Sequence, residues 1–261
     1  MLKYGLIGEK LGHSISPHIH ADIFRETSFD GDYKLYEIPR EKLPEIKTFM
    51  INNCLSGINV TIPYKQEIIP FLDEISEEAM QIGAVNTVVR KNGRLIGYNT
   101  DYHGFGEMLN FHGIAFKNKT VVILGNGGAA KAVSAFVSNN GASEVYIVSR
   151  KQNEDASVIS YDQISDFDNY LLINTTPVGM YPNVESSPVD VDVVEKSFAV
   201  VDLIYNPKTT RLTEFARTAE KPFCNGMYML VAQAVKAQEI WRDVRFSFGL
   251  TQKIYEMQNR G

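Results

Sequence analysis

Apolar positions in the first hundred residues fall into two alternating patterns. Residues 2–7, 33–38 and 57–61 form short strand-length runs, whereas from Pro17 onward and again over 41–53 the apolar positions return at helical spacing. This alternation predicts an α/β unit with a mostly parallel sheet. Ser16 before Pro17 predicts a helix start, with Ser16 as N-cap and the proline where its missing N–H costs nothing. Residues 85–90 and 94–98 flank Asn92-Gly93, a pair suited to a type I′ turn and hence to a β-hairpin.

A second series starts at Lys119. Residues 120–124 form a continuous apolar strand that runs into Gly125-Asn126-Gly127-Gly128-Ala129-Ala130 and then a helical pattern. Strands are expected at 144–149, 170–174 and 198–203, and helices at 226–241 and 246–258 come after every recognisable strand. The reading is therefore two domains. Residues 1–101 form an N-terminal α/β domain, completed by 238–261 as the C-terminal helix returns to it, and residues 102–237 form a Rossmann-like domain. No Gly/Ser or Pro-rich linker separates them, so the hinges are expected in helices or tight loops near Asp101 and Ala237. The segment after Lys151 is shorter than the dozen or so residues a parallel crossover needs. It predicts a missing crossover helix and a truncated strand at the sheet edge.

Composition narrows the function classes. The 261 residues are 44% hydrophobic and 22% charged, as in an ordinary globular protein. A net charge of −5 with scattered basic residues gives no footprint for nucleic acid or an anionic membrane, which leaves a small-molecule partner. The N-terminus enters a strand directly, with no export signal and no run near the roughly 18 apolar residues of a membrane span. Cys54 and Cys224 are too few and too far apart for a disulfide framework or a metal knuckle. They read as two buried free thiols, in keeping with a cytoplasmic setting and no bound metal. Monomer and homodimer both remain open.

In the glycine-rich turn, Gly125 permits the tight bend, Gly127 lets the backbone approach a pyrophosphate, and Ala130 stands for the third glycine. The following helix would then present its N-terminus to the phosphates. Where an NAD-binding strand usually ends in Asp or Glu, this chain has Ser149, Arg150 and Lys151. Two cations there favour the 2′-phosphate of NADP, although Arg150 and Lys151 also fit a plain solvated loop.

The first half carries a polar constellation. Ser14 and Ser16 place two hydroxyls at a helix start that could hold an anion without arginine, and an N-cap alone also accounts for Ser16. Strand alternation sends Asn59 and Thr61 to one face at a strand's C-terminal end, with Lys65 just beyond Pro63. Asn86 and Asp101 follow at the ends of the hairpin strands, where Asp101 also reads as the N-cap of the helix carrying Phe105, Met108 and Leu109.

The strings H-S-I-S-P, N-V-T-I-P-Y-K, G-A-V-N-T, G-Y-N-T-D, G-N-G-G-A-A, N-T-T-P-V-G-M and D-L-I-Y-N-P resemble those of the shikimate dehydrogenases, in the same order along nearly the whole chain. The resemblance implies NADPH-dependent reduction of 3-dehydroshikimate to shikimate in aromatic amino acid biosynthesis. It implies Lys65 and Asp101 as the catalytic residues, and Ser14, Ser16, Asn59, Thr61, Asn86, Tyr205 and Gln233 around shikimate. It also implies Gly125, Asn126, Gly127, Gly128, Ala129, Ser149, Arg150, Lys151, Thr175, Ile204, Gly226 and Met229 near NADP. Asn126 and Ser149 depart from the residues usual there. An NAD-using quinate/shikimate dehydrogenase, a folate-cofactor dehydrogenase and a non-catalytic nucleotide sensor are the competing readings. The absence of an acid at 149–151, the clustered hydroxyls and amides, and the presence of both Lys65 and Asp101 oppose them in turn.

Overall fold

The structure, a computed structural model, describes residues 1–12, 14–150, 155–247 and 249–259. The chain divides into two compact units, one of Met1–Gly104 with Val231–Gly261 and one of Phe105–Leu230.

The first unit runs β1 (Leu2–Gly8), α1 (Ser16–Glu26), β2 (Gly31–Glu37), α2 (Ile46–Asn52), β3 (Leu55–Val60), α3 (Tyr64–Glu67), β4 (Glu74–Ile75), α4 (Glu77–Ile82), β5 (Thr87–Lys91), β6 (Arg94–Tyr98) and the start of α5 (Thr100–His112). Its six strands lie in the order β2-β1-β3-β5-β6-β4. β1 is parallel to β2 and β3, and β4 to β6, while β5 pairs antiparallel with both β3 and β6. The hairpin turn is as expected, with Asn92 at φ 52° and Gly93 at φ 75°.

The second unit completes α5 and continues through β7 (Thr120–Leu124), α6 (Gly128–Asn139), β8 (Glu144–Val148), β9 (Val158–Ile159), β10 (Tyr170–Asn174), α7 (Val191–Lys196), β11 (Ser197–Asp202), α8 (Arg211–Thr218), β12 (Phe223–Asn225) and the first turn of α9 (Met227–Arg242). The rest of α9 and α10 (Gly249–Asn259) belong to the first unit. All pairs in the second sheet are parallel, in the order β12-β11-β10-β7-β8-β9. This is the doubly wound order, with its switch point between β7 and β10. The truncated strand expected after Lys151 is β9, two residues long and at the sheet edge. No helix of the described residues is long and apolar enough to cross a membrane.

Four local readings need correction. The helix expected over 41–53 is a 3-10 turn at Arg40–Glu45 followed by α2, because Pro44 has no N–H for an α-helical bond. Ser16 is the first residue of α1 and not its N-cap: Ile15 holds that position, and the Ser16 N–H donates to Ser14 Oγ at 3.3 Å. Asp101 does not cap α5 either. The Asn99 side chain does, accepting from the N–H groups of Asp101 at 3.0 Å and Tyr102 at 3.2 Å. Cys54 is exposed in the turn after α2 at φ 55°, so only Cys224 is a buried thiol.

The first unit's sheet buries one face against Leu43, Ile46 and Met50, and another cluster joins Tyr4, Phe24 and Tyr33 to Trp241 of α9. Trp241 stacks on Tyr4 with ring centroids 4.7 Å apart and donates its Nε1–H to Val88 O at 2.9 Å. It lies so close to β3 that a Cβ on Gly57 would overlap its indole ring. Gly57→Ala is therefore expected to cost about 2 kcal/mol through overpacking, read as a lower midpoint in urea with an unchanged slope.

Candidate active site

The first unit's site grows from three chain segments that are far apart in sequence. Asn59 near the end of β3 pairs in register with Thr87 at the start of β5, and Thr87 with Tyr98 at the end of β6. The short helix α3 follows β3 and α5 follows β6, so Lys65 and Asp101, 36 positions apart, meet above the same strand ends. The Val85 N–H to Lys65 O bond at 2.7 Å ties α3 to the segment entering β5.

Lys65 Nζ lies 2.6 Å from Asp101 Oδ2, with side-chain exposures of 15% and 9%. The other oxygen, Oδ1, accepts from Asn86 Nδ2 at 2.8 Å. The orientation of Asn86 is set from behind, since its Oδ1 accepts the Thr100 N–H at 2.7 Å and so turns its NH2 toward Asp101. Both carboxylate oxygens thus face donors, and the group sits in the first turn of α5, where the helix terminus favours negative charge. The pair is thus largely enclosed, with a small part of the Lys65 side chain left exposed.

Asn59 is buried and fixed in the same way, its Oδ1 accepting from Tyr33 OH at 2.8 Å and its Nδ2 donating to Thr87 Oγ1 at 3.1 Å and Asn86 O at 3.3 Å. Thr100 Oγ1 lies 3.1 Å from Thr87 Oγ1 and 3.4 Å from Gln233 Oε1, which joins α9 to the cluster. Ser14 donates to Ser16 Oγ at 3.2 Å beside the start of α1. Burial pushes the Tyr33 phenol well above its ordinary range, against the opposing effect of the Ser16 hydroxyl. Tyr33 also stacks on His20 at 3.8 Å, and complete burial drives that imidazole down to about 3, so it stays neutral. Thr61 follows β3 half-buried, its backbone N–H bonded to Ile7 O at 3.0 Å. Ser14, Ser16, Asn59, Lys65, Asn86, Asp101 and Gln233 thus belong to one linked group of polar side chains in this unit.

Sequence reasoning missed Tyr33, Thr87, Asn99 and Thr100. The last three sit inside the strings A-V-N-T and G-Y-N-T-D, where a polar residue at a strand end is itself a signal. Tyr33 gave none, because strand alternation marks it only as core.

The second unit holds the other group. Gly125 turns at φ +101° at the end of β7, and a Cβ there would come within 2.9 Å of Thr175 Oγ1 and Thr176 Cγ2. Thr175 Oγ1 in turn donates to Leu124 O at 2.6 Å. Gly127 is the N-cap of the twelve-residue α6, with no side-chain cap bond and with nothing within 4 Å of an added Cβ. That uncapped, unobstructed helix start suits a pyrophosphate. Asn126 is exposed and Gly128 and Ala129 open the helix, while Ala130 is fully buried, as close packing of α6 requires. Ser149 and the exposed Arg150 directly follow β8, with no acid at either position, and Lys151 lies outside the described residues. Ile204 is buried and Tyr205 half-buried after β11; Ile204 O accepts the Gly226 N–H at 3.1 Å, and Met229 is buried in the first turn of α9.

The chain thus carries a doubly wound sheet with an open, uncapped glycine turn and, in its other unit, a largely buried lysine–carboxylate pair among amides and hydroxyls, groups suited to a dinucleotide and to a polar alcohol. Residues 6–88 match the family model for the shikimate dehydrogenase substrate binding domain. Shikimate dehydrogenase (NADP(+)) of Clostridium beijerinckii is 44% identical over 97% of both chains. Shikimate dehydrogenase 1 of Peptoclostridium difficile is 40% identical, with a TM-score of 0.94 over 100% of this chain and 98% of that one. The Thermus thermophilus shikimate 5-dehydrogenase, solved with NADP(H) and shikimate, is 31% identical with a TM-score of 0.88 over 100% and 99%. This chain belongs to the shikimate dehydrogenase family.

Proposed function

We infer that this protein catalyses the reversible NADPH-dependent reduction of 3-dehydroshikimate to shikimate. The single observation that carries the chemistry is the 2.6 Å pair of Lys65 and Asp101 in a nearly buried setting. Bound nicotinamide supplies the hydride, and the protein must supply the proton.

Lys65 donates that proton to the ketone oxygen as the alcohol forms, and its residual exposure gives solvent a route to restore it. Asp101 keeps the ammonium oriented and accepts a hydrogen bond from the product hydroxyl. Ser14 and Ser16, beside the start of α1, hold the substrate carboxylate. Asn59, Thr61, Asn86, Tyr205 and Gln233 read the ring hydroxyls, a task for groups that both donate and accept.

The residues of the second unit fit NADP. Gly125, Asn126, Gly127, Gly128 and Ala129 offer the uncapped helix start to the pyrophosphate, and Ser149, Arg150 and Lys151 take the 2′-phosphate. Thr175, Ile204, Gly226 and Met229 line the nicotinamide half. The curated relatives are named for NADP(+), which agrees with the missing acid after β8.

A spectrophotometric assay of shikimate and quinate, each with NADP and NAD, tests this reading. Rapid reduction of NADP by shikimate is expected; nucleotide binding without turnover would instead point to a sensor. Arg150→Ala is expected to raise KM for NADP about tenfold, through loss of a charge-assisted bond to phosphate, and to spare KM for NAD. Equal effects on the two would remove Arg150 from the 2′-phosphate site.

A further inference from the structure

Asp202 ends β11 as the first residue of D-L-I-Y-N-P, and none of the roles above uses it. It is fully buried, with no lysine or arginine bonded to it among the described residues. Three donors converge on its carboxylate: Asn174 Nδ2 at 3.0 Å and Ile204 N–H at 3.1 Å on Oδ1, and Thr210 Oγ1 at 2.6 Å on Oδ2. Each belongs to a different part of the ligand-facing edge. Asn174 ends β10, Ile204 lies in the loop after β11, and Thr210 caps α8.

The geometry points to Asp202 as a positioning residue that aligns the loops after β10 and β11 for the dinucleotide. A carboxylate can only accept, so it turns the NH2 of Asn174 toward itself and leaves Asn174 Oδ1 for the Thr176 N–H at 3.0 Å and Thr176 Oγ1 at 2.7 Å. That turn sets Thr175 against the glycine bend at Gly125. On the other side the Ile204 N–H bond fixes the backbone at Ile204, and Ile204 O in turn holds Gly226, both placed with the dinucleotide above. Two loops at the C-terminal ends of neighbouring parallel strands, where open α/β sheets bind ligands, are therefore referred to one buried carboxylate.

Ionisation of this carboxyl is opposed by its burial. Burial pushes the carboxyl from its ordinary 3.8 up to about 6, and the titratable Cys224 thiol beside it is pushed up to about 12. An acid whose pKa is higher in the folded state costs the fold nothing below its unfolded value. It costs progressively more as pH rises to the folded one, and the full penalty stands above that.

The assignment rests on this unit binding NADPH, and wild-type binding, measured first by the fluorescence of NADPH, tests that separately. Asp202→Asn keeps the shape but loses one acceptor and the charge; Asp202→Ala loses every acceptor and is the stronger test if it folds. The expected result for Asp202→Asn is a Kd for NADPH at least threefold higher and KM for 3-dehydroshikimate within twofold. Its Tm at pH 8 is expected to be unchanged or higher, and Asp202→Ala is expected to weaken NADPH binding further. A Kd within threefold of wild type for Asp202→Asn overturns the assignment. So does a joint rise of both constants with a fall in Tm, which marks general loosening.

Discussion

Lys65→Ala is expected to lower kcat about a thousandfold, within the range general acid–base catalysis contributes, while the KM values for both substrates change only a few-fold. The variant should fold. Asp101 keeps the Asn86 Nδ2 donor at 2.8 Å and its place in the first turn of α5, so its carboxylate is not left buried without a partner. Polar recognition of the ring stays in place, because Asn59, Asn86 and Gln233 are held by Tyr33, Thr87 and Thr100 and not by Lys65. Loss of the proton donor with binding intact is the signature of an interaction made in the transition state. Steady-state kinetics in both directions, with Tm alongside, checks it.

Asp101→Asn carries the second-largest expected effect. The site presents two donors to this side chain, Lys65 Nζ at 2.6 Å and Asn86 Nδ2 at 2.8 Å, on its two different oxygens. An amide has one acceptor oxygen, so whichever way it turns, an NH2 faces one of the two donors. If it turns on Lys65, the ammonium loses its orientation; if on Asn86, the Asn86 amide is driven off the Thr100 N–H that fixes it. Either outcome misplaces the acid. The expected loss is about a hundredfold in kcat, or about 2.7 kcal/mol of transition-state stabilisation. Asp101→Ala, which removes the acceptors without adding a donor, should be no worse than Asp101→Asn. An Asp101→Asn enzyme within fivefold of wild type would show that Asp101 does not orient Lys65.

The parts of the fold that were legible in the sequence are those whose signal is local. Thr120–Leu124 runs without a break into Gly125, and Tyr170–Asn174 is an apolar run closed by Asn174, so both strands are legible residue for residue. Asn92-Gly93 marked its turn because positive φ at both positions suits few other pairs. The short passage after Lys151 marked an edge strand because a crossover helix does not fit in it. The errors came where two local signals compete. Ser16-Pro17 and Asp101 both look like helix starts, yet Ser14 and Asn99, two residues upstream in each case, bond the backbone N–H groups instead. Pro44 lay inside an otherwise helical spacing and turned its first half into a 3-10 turn.

The site was legible as residue types and not as a network. Nothing in local spacing brings residue 65 to residue 101; the antiparallel register of β3, β5 and β6 does so. The same register places Thr87 between Asn59 and Asn86 and makes it a hinge of the cluster, which no motif announces. Asp202 and Asn174 show the converse case. Each is a polar residue closing an apolar strand, visible in the sequence, but the bond between them becomes meaningful only once β10 and β11 are known to be neighbours.

Chemical rescue of Lys65→Ala by small amines tests most directly whether the Lys65 amine is the proton donor held by Asp101. Turnover should rise in proportion to added ethylammonium, and tetramethylammonium, which carries the charge but no proton, should restore nothing. No rescue by any primary amine in a folded, substrate-binding variant, or equal rescue by tetramethylammonium, would contradict that role.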